Sequence, residues 1–93
     1  MIFEWDETKS RRCFAERGFD FAHVSLIFAD EDRVERMDRR RDYGEERWQT
    51  IGEVGGKIYF VVFTYRGEAI RIISARRAHE QEERVYREGK AWH

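Results

Sequence analysis

The chain has 93 residues, 41% of them hydrophobic and 14 aromatic, which fits a single domain over residues 1–93 with its own core and excludes wholesale disorder. One cysteine, no proline and no apolar run near the roughly 20 residues that cross a bilayer exclude disulfide scaffolds, cysteine-rich zinc sites and membrane-spanning helices, and predict a soluble cytoplasmic protein. The net charge of −1, from 18 basic and 19 acidic residues, lacks the basic excess typical of indiscriminate nucleic-acid binding.

The first third of the chain predicts a short strand followed by two helices. Phe3 and Trp5 alternate with polar neighbours, as residues of a strand do, and Asp6 is suited to cap the helix that follows. Gly18 is expected to end that first helix, and Asp20 is expected to cap a second one. The second helix has an apolar stripe at helical spacing, formed by Phe21, Val24, Ile27 and Phe28.

The remainder predicts four strands and a polar terminal helix over residues 78–89. The strands begin with a polar one near residue 34 and continue over residues 47–54, 57–66 and 69–75, with glycine turns between the last three. Alternation in the last strand predicts Ile70, Ile72 and Ser74 on one face, and continuing the period adds Arg76. The order β-α-α-β-β-β-β-α, with an antiparallel meander covered by the two N-terminal helices, indicates an α+β fold.

Motifs for metals, cofactors and serine or cysteine nucleophiles are absent from the sequence. The three histidines are far apart and form no ligand pair; they are His23, His79 and His93. No glycine-rich phosphate loop is present, and we expect no cofactor and no metal. Cys13 lies in the middle of a predicted helix and is expected to be a packed residue rather than a nucleophile.

Arginine dominates the basic residues, at 15 of 18, and its guanidinium group binds phosphate through two parallel hydrogen bonds. Polar residues on the otherwise apolar strands, or at their ends, are Arg47, Arg66, Ser74 and Arg76. If they converge, several guanidinium groups and one hydroxyl suit a phosphodiester better than a carbonyl. Alternatively, they are surface arginines in ion pairs, with Glu45, Glu46 and Glu68 as partners. The residues alone leave both interpretations open.

Four blocks in the chain, in order and over nearly its whole length, resemble the BrnT family, the toxin half of a type II toxin–antitoxin pair. The blocks are Phe3-Glu4-Trp5-Asp6 with Lys9; Gly44-Glu45-x-Arg47 with Ile51-Gly52; Val61-Val62-x-Thr64-x-Arg66-Gly67; and Arg71-Ile72-Ile73-Ser74-Ala75-Arg76-x-Ala78 with Glu82 and Tyr86. The resemblance implies a RelE-like fold and an endoribonuclease that cuts RNA and inhibits translation. It also implies a BrnA-like ribbon-helix-helix antitoxin, through which alone the toxin contacts operator DNA.

The resemblance implies a site without a metal, in which the 2′-hydroxyl of RNA attacks the adjacent phosphate. The expected residues are Arg66 and Arg76 for phosphate binding, Arg17 and Arg47 in support, Ser74 as a hydrogen-bonding group and Glu45 as the candidate base. The family usually has Lys-His before Gly18, where this chain has Glu16-Arg17, and arginine hardly titrates. This difference motivates an alternative function, a catalytically weak or inactive antitoxin-binding co-repressor module. A third interpretation is a structural α+β domain with ordinary surface ion pairs.

Overall fold

The structure, a computed structural model, describes residues 1–89 and 92–93, and in these residues it has one five-stranded sheet and three α-helices. The elements are β1 Ile2–Trp5, α1 Glu7–Arg17, α2 Phe21–Val24, β2 Val34–Met37, β3 Trp48–Val54, β4 Lys57–Arg66, β5 Ala69–Arg77 and α3 Glu80–Glu88. The α+β class and the predicted order of elements are confirmed. The second helix is shorter than predicted, because the chain tightens into a 3₁₀ turn over Ser25–Ala29.

The predicted caps of α1 are confirmed. The Asp6 side chain accepts a hydrogen bond from the Lys9 backbone N–H at 3.2 Å. Gly18 has φ +85°, a conformation that favours glycine, and its N–H donates to the Phe14 carbonyl. These contacts fix the end of the helix and place Arg17 in its last turn, where a cation interacts favourably with the helix dipole.

The five strands form one sheet in the order β1-β5-β4-β3-β2. The predicted antiparallel meander is confirmed, and β2 pairs with β3 in the same antiparallel manner. In contrast, β1 pairs with β5 in parallel, with Ile2 opposite Ala69 and Trp5 opposite Ile72. Alternation identifies a strand but not its neighbour, so the position of β1 was not predicted. No helix within residues 1–89 and 92–93 has the length and apolar character that crossing a membrane requires.

Each face of the sheet carries its own apolar cluster. On one face, α1, α2 and the 3₁₀ turn pack on sheet residues that include Val61, Phe63 and Ile72. On the other face, side chains of α3 and the C-terminus pack on a smaller cluster, formed by Ile51, Ile58, Phe60 and Val62. Because β4 contributes to both clusters, its sequence is almost continuously apolar rather than alternating. The second face continues past its cluster to Arg66 at the end of β4.

A β-bulge in β5 changes which residues share a face. Ile72 and Ser74 lie opposite consecutive residues of β4, so Ile73 is an additional residue in the ladder. Consecutive strand residues point to opposite faces. The prediction that Ser74 shares a face with Ile70 and Ile72 is therefore wrong. Arg76 likewise lies on the face of α3, opposite the face that the alternation predicted.

Gly52 in β3 occupies a position where a side chain does not fit. A Cβ atom there would lie 2.5 Å from Cγ1 of Ile27 and 3.2 Å from Cβ of Arg33. We therefore expect Gly52→Ala to lower the free energy of unfolding by about 1–2 kcal/mol, measured by urea denaturation. In a double-mutant cycle, Gly52→Ala combined with Ile27→Ala should cost less than the sum of the two changes. An unchanged urea midpoint for Gly52→Ala would contradict this prediction.

Candidate functional site

One carboxylate joins two of the predicted arginines at the end of β4. Oε2 of Glu45 accepts a hydrogen bond from Nε of Arg47 at 3.1 Å, and Oε1 of Glu45 lies 3.5 Å from Nη2 of Arg66. The side chains of Arg47 and Glu45 are 24% and 29% exposed, whereas that of Arg66 is 51% exposed. We name these three residues the Arg47–Arg66 cluster. The structure thus brings together three of the six predicted site residues.

A buried carboxylate organises the loop that delivers Glu45 to this cluster. Asp38 accepts hydrogen bonds from Nε and Nη2 of Arg40 at 2.8 and 2.7 Å, and the Tyr43 hydroxyl donates to it at 3.4 Å. The Asp38 backbone N–H donates to the Arg47 carbonyl at 2.7 Å, which extends the pairing of β2 with β3. The hydrogen bonds from Arg40 lower the pKa of Asp38, although burial opposes this shift. Asp38 was not predicted as part of the site, because it lies in a run of charged residues typical of a solvated loop.

Two further side chains hold the cluster against the sheet. The guanidinium carbon of Arg47 lies 4.3 Å from the centroid of the Tyr43 ring. The Thr64 hydroxyl donates to the Glu46 carbonyl at 2.6 Å, and this bond ties the loop to β4. Thr64 lies on the same face of β4 as Arg66. Contacts of Tyr43, before Glu45 in the chain, and of Glu46, after it, therefore hold the loop in place.

The charge balance of the cluster favours an anionic ligand. Glu45 supplies one negative charge to two guanidinium groups, so the Arg47–Arg66 cluster has a net positive charge. The two guanidinium groups can present parallel N–H donors to two oxygens of one phosphate. Within residues 1–89 and 92–93, no group of three histidine, cysteine, aspartate or glutamate side chains is placed to hold a metal ion.

Arg76 lies away from the cluster, in an ion pair that joins β5 to α3. It lies opposite Phe60 in the ladder, and the separation of six positions between Phe60 and Arg66 corresponds to about 20 Å along β4. Its Nη1 and Nη2 donate to the two oxygens of Glu82 at 2.8 and 2.9 Å, and its guanidinium carbon lies 4.0 Å from the Phe60 ring centroid. Burial tends to raise the pKa of Glu82, but hydrogen bonds from Arg76 and the His79 backbone lower it overall.

Ser74 and Arg17 lie together at a different edge of the sheet. Past its last pair with β1, at Trp5, β5 runs beside α1, where the Cys13 thiol approaches the Ala75 carbonyl at 3.8 Å. The buried Cys13 is a packing residue, as predicted, and burial raises the pKa of its thiol. A groove of about 190 Å³ between α1 and β5 is lined by both Arg17 and Ser74. These two residues therefore do not belong to the Arg47–Arg66 cluster.

Helix α3 is attached to the body of the protein near both of its ends. The Arg76–Glu82 ion pair lies near its start, and near its end the Tyr86 hydroxyl donates to Oδ2 of Asp30 at 2.6 Å. Burial and the hydrogen bond to Asp30 raise the pKa of Tyr86. Arg36 stacks on the ring of Trp92, with its guanidinium carbon 3.9 Å from the centroid. Tyr86 and Trp92 both pack against the smaller apolar cluster on this face of the sheet.

Comparison with protein families agrees with the motifs of the sequence. A family model described as "Ribonuclease toxin, BrnT, of type II toxin-antitoxin system" matches residues 5–82 of the chain. The matched region contains the complete Arg47–Arg66 cluster, as well as Arg17, Ser74 and Arg76. No curated protein matches the chain. Since the family match covers most of its length, the chain belongs to the BrnT family of ribonuclease toxins of type II toxin–antitoxin systems.

Proposed function

We propose that this toxin is a metal-independent endoribonuclease, that it cleaves RNA at the Arg47–Arg66 cluster, and that this cleavage inhibits translation. The observation that carries the proposal is the position of Glu45, a carboxylate in contact with two guanidinium groups at an exposed end of the sheet. Cleavage of RNA requires a proton acceptor next to groups that bind a phosphate, and the cluster contains both within 3.5 Å.

The reaction in this proposal uses only groups of the RNA, the protein and water. The 2′-oxygen attacks phosphorus, and its proton passes to the carboxylate of Glu45. Arg47 and Arg66 hydrogen-bond the phosphate oxygens as negative charge accumulates on them in the transition state. The bond between phosphorus and the 5′-oxygen then breaks, and the 5′-oxygen takes a proton from water. The proton held by Glu45 neutralises the hydroxide that is left, which returns Glu45 to its carboxylate form. The products carry a 2′,3′-cyclic phosphate and a 5′-hydroxyl group.

The other predicted site residues have supporting roles in this proposal. Arg76 maintains the position of α3 through Glu82, since both of its terminal nitrogens are engaged in that ion pair. Ser74 and Arg17 contact RNA outside the cleaved bond, because they line a groove on another edge of the sheet. The reacting phosphate is thus bound by two arginines of the predicted four.

A ribonuclease toxin of a type II system acts on RNA and has an antitoxin partner. We propose that this antitoxin is a BrnA-like ribbon-helix-helix protein and that operator DNA is contacted through the antitoxin alone. The family resemblance supports this pairing, together with a RelE-like ribonuclease fold and a cytoplasmic location. The alternative is a catalytically weak antitoxin-binding co-repressor. Its support is Arg17, which stands where the family usually has a titratable histidine.

Cleavage by the purified protein in EDTA tests the proposed function. We expect RNA to be cut in the absence of divalent ions, and end-group analysis by mass spectrometry to find 2′,3′-cyclic phosphate and 5′-hydroxyl termini. Addition of the neighbouring gene's product should suppress the cutting. Activity that is abolished by EDTA and restored by Mg²⁺ would contradict the mechanism. A folded protein that neither cuts RNA nor arrests growth, yet binds the antitoxin, would establish the co-repressor alternative.

A further inference from the structure

A second and larger recess lies at the opposite end of β4 from Arg66. It is a cleft of about 480 Å³ between the C-terminal end of α1 and the turn that joins β3 to β4. Three cations line it: Arg17 at the end of α1, Lys57 at the start of β4 and Arg77 at the end of β5. Arg17 also lines the groove beside β5, and we name the cleft and this groove together the Arg17 cleft.

The cations of the Arg17 cleft lack carboxylate partners. Within residues 1–89 and 92–93, no carboxylate oxygen lies within 4.0 Å of the charged nitrogens of these cations, which are Lys9, Arg12, Arg17, Lys57 and Arg77. Arginines elsewhere on the sheet do have carboxylate partners, since Arg47, Arg66 and Arg71 each contact a glutamate. Unneutralised cations that are crowded on one surface repel one another, and a polyanion relieves that repulsion.

The acidic residue that lines the cleft is engaged elsewhere. The carboxylate of Asp20 accepts a hydrogen bond from the His23 backbone N–H at 2.9 Å and so caps α2. It does not contact any of the three cations of the cleft within ion-pair distance. The surface therefore has a strong local excess of positive charge, although the whole chain has a net charge of −1.

An exposed aromatic side chain lies on the wall of the cleft. Phe14 is 60% exposed and is one of a few large hydrophobic residues on the surface. Its position on α1 is one turn from Arg17, so a flat apolar ring and a guanidinium group face the same recess. Aromatic rings next to cations that track a phosphate backbone are the combination by which proteins bind single-stranded RNA.

We propose that the Arg17 cleft binds the phosphate backbone of single-stranded RNA, with Phe14 stacking on a base. This proposal rests on the proposed function, because it assigns a path to the substrate beyond the cleaved bond. The ten residues of β4 place Lys57 about 30 Å from Arg66, a separation that a chain of several nucleotides can span. RNA is favoured over an acidic protein segment because the exposed ring matches bases, and guanidinium groups without carboxylate partners match phosphates.

The test measures binding without cleavage. A fluorescent RNA of about 16 nucleotides, 2′-O-methylated throughout, lacks the attacking hydroxyl and stays intact, so its affinity can be measured by anisotropy. Lys57→Gln with Arg77→Gln should weaken binding at least about tenfold at about 0.1 M salt and reduce the slope of log affinity against log salt by roughly 1.4. Phe14→Ala should weaken binding about fivefold at every salt concentration and leave the slope unchanged.

The matched control is Arg84→Gln with Arg87→Gln on the exposed side of α3. It removes the same charge from two arginines that already have glutamate partners, so RNA affinity should change less than about twofold. Circular dichroism checks that each variant is folded. Equal affinities for the Lys57/Arg77 variant and the control, or an unchanged affinity of Phe14→Ala, would overturn the proposal.

The antitoxin is the competing occupant of this surface. If the Lys57/Arg77 variant keeps its affinity for RNA but loses affinity for the antitoxin, the cleft is a protein interface and the proposal is wrong. Failure of the proposed function is separate and distinguishable. In that case the wild-type protein would bind the 2′-O-methylated RNA through the cleft but would not cut unmodified RNA in EDTA.

Discussion

Arg47→Gln combined with Arg66→Gln is expected to reduce RNA cleavage by at least about a hundredfold, which corresponds to roughly 2.7 kcal/mol of transition-state stabilisation. The two guanidinium groups flank Glu45 and are the cationic donors closest to it. Glutamine retains hydrogen-bonding capacity but removes the positive charge that opposes charge accumulation on the phosphate. Rates should be measured in EDTA under single-turnover conditions, so that chemistry rather than product release is observed.

Two comparisons make this result specific. The Arg84→Gln and Arg87→Gln pair removes the same charge elsewhere and should leave the rate within about twofold of wild type. Glu45→Gln removes the proton acceptor but keeps both arginines, so it should lower cleavage while the 2′-O-methylated RNA binds at least as tightly as before. A Lys57/Arg77 variant should lose affinity more than rate. Retention of cleavage within about threefold in the Arg47/Arg66 variant would exclude the cluster as the catalytic site.

Arg76→Met is expected to lower the free energy of unfolding by about 2–3 kcal/mol, measured by urea denaturation. The change preserves much of the side-chain volume over Phe60 but leaves Glu82, whose side chain is only 17% exposed, without its cationic partner. We expect the variant to retain cleavage within about threefold once its folded fraction is restored by cooling or an osmolyte. That result would assign Arg76 to the attachment of α3 rather than to the phosphate.

Glu82→Gln provides the partner experiment for this ion pair, because it keeps the guanidinium group of Arg76. Both variants should lose stability, and a much larger loss of cleavage in Arg76→Met than in Glu82→Gln would show that Arg76 contacts RNA.

The pKa of Glu82 is lowered from its ordinary value of 4.5, so the ion pair stabilises the fold above about that pH and ceases to do so as pH falls through the lower native pKa. Glu82→Gln should therefore weaken the acid dependence of stability. Arg84→Met, at an exposed pair, serves as the control.

The local features of the fold could be predicted from the sequence, and the pairing of distant elements could not. The two ends of α1 were predictable from Asp6 and Gly18, because helix capping depends on residues only a few positions apart. The strands of the meander followed from their turns in the same way. The parallel pairing of β1 with β5 joins residues 67 positions apart, as Ile2 and Ala69 show, and no local pattern encodes it. The bulge at Ile73 was not predicted either, because one additional residue does not change the residue types that are typical of a strand.

The candidate site was predictable where a short segment supplies it. Glu45 and Arg47 are two residues apart, and Arg66 reaches them because β3 and β4 form a hairpin. The Arg17 cleft was not foreseen, because its cations come from three separate elements and only the tertiary structure brings them together. Residues 1–32 are acidic on balance, yet Arg17, one of their few basic residues, lines a recess together with Lys57 and Arg77.

The bulge in β5 also bears on how the length of this chain can change. The residues on either side of Ile73 pair with neighbours that are consecutive in β4, so removing Ile73 would leave the pairing of Ile72 and Ser74 as it is. A homologous chain could therefore lack one residue at this point and still direct Ala75 into the core and Arg76 toward α3. An insertion or deletion within the regular part of the strand would instead turn every following side chain to the opposite face. The bulge is thus a place where the length of the strand and the orientation of its side chains are independent of each other.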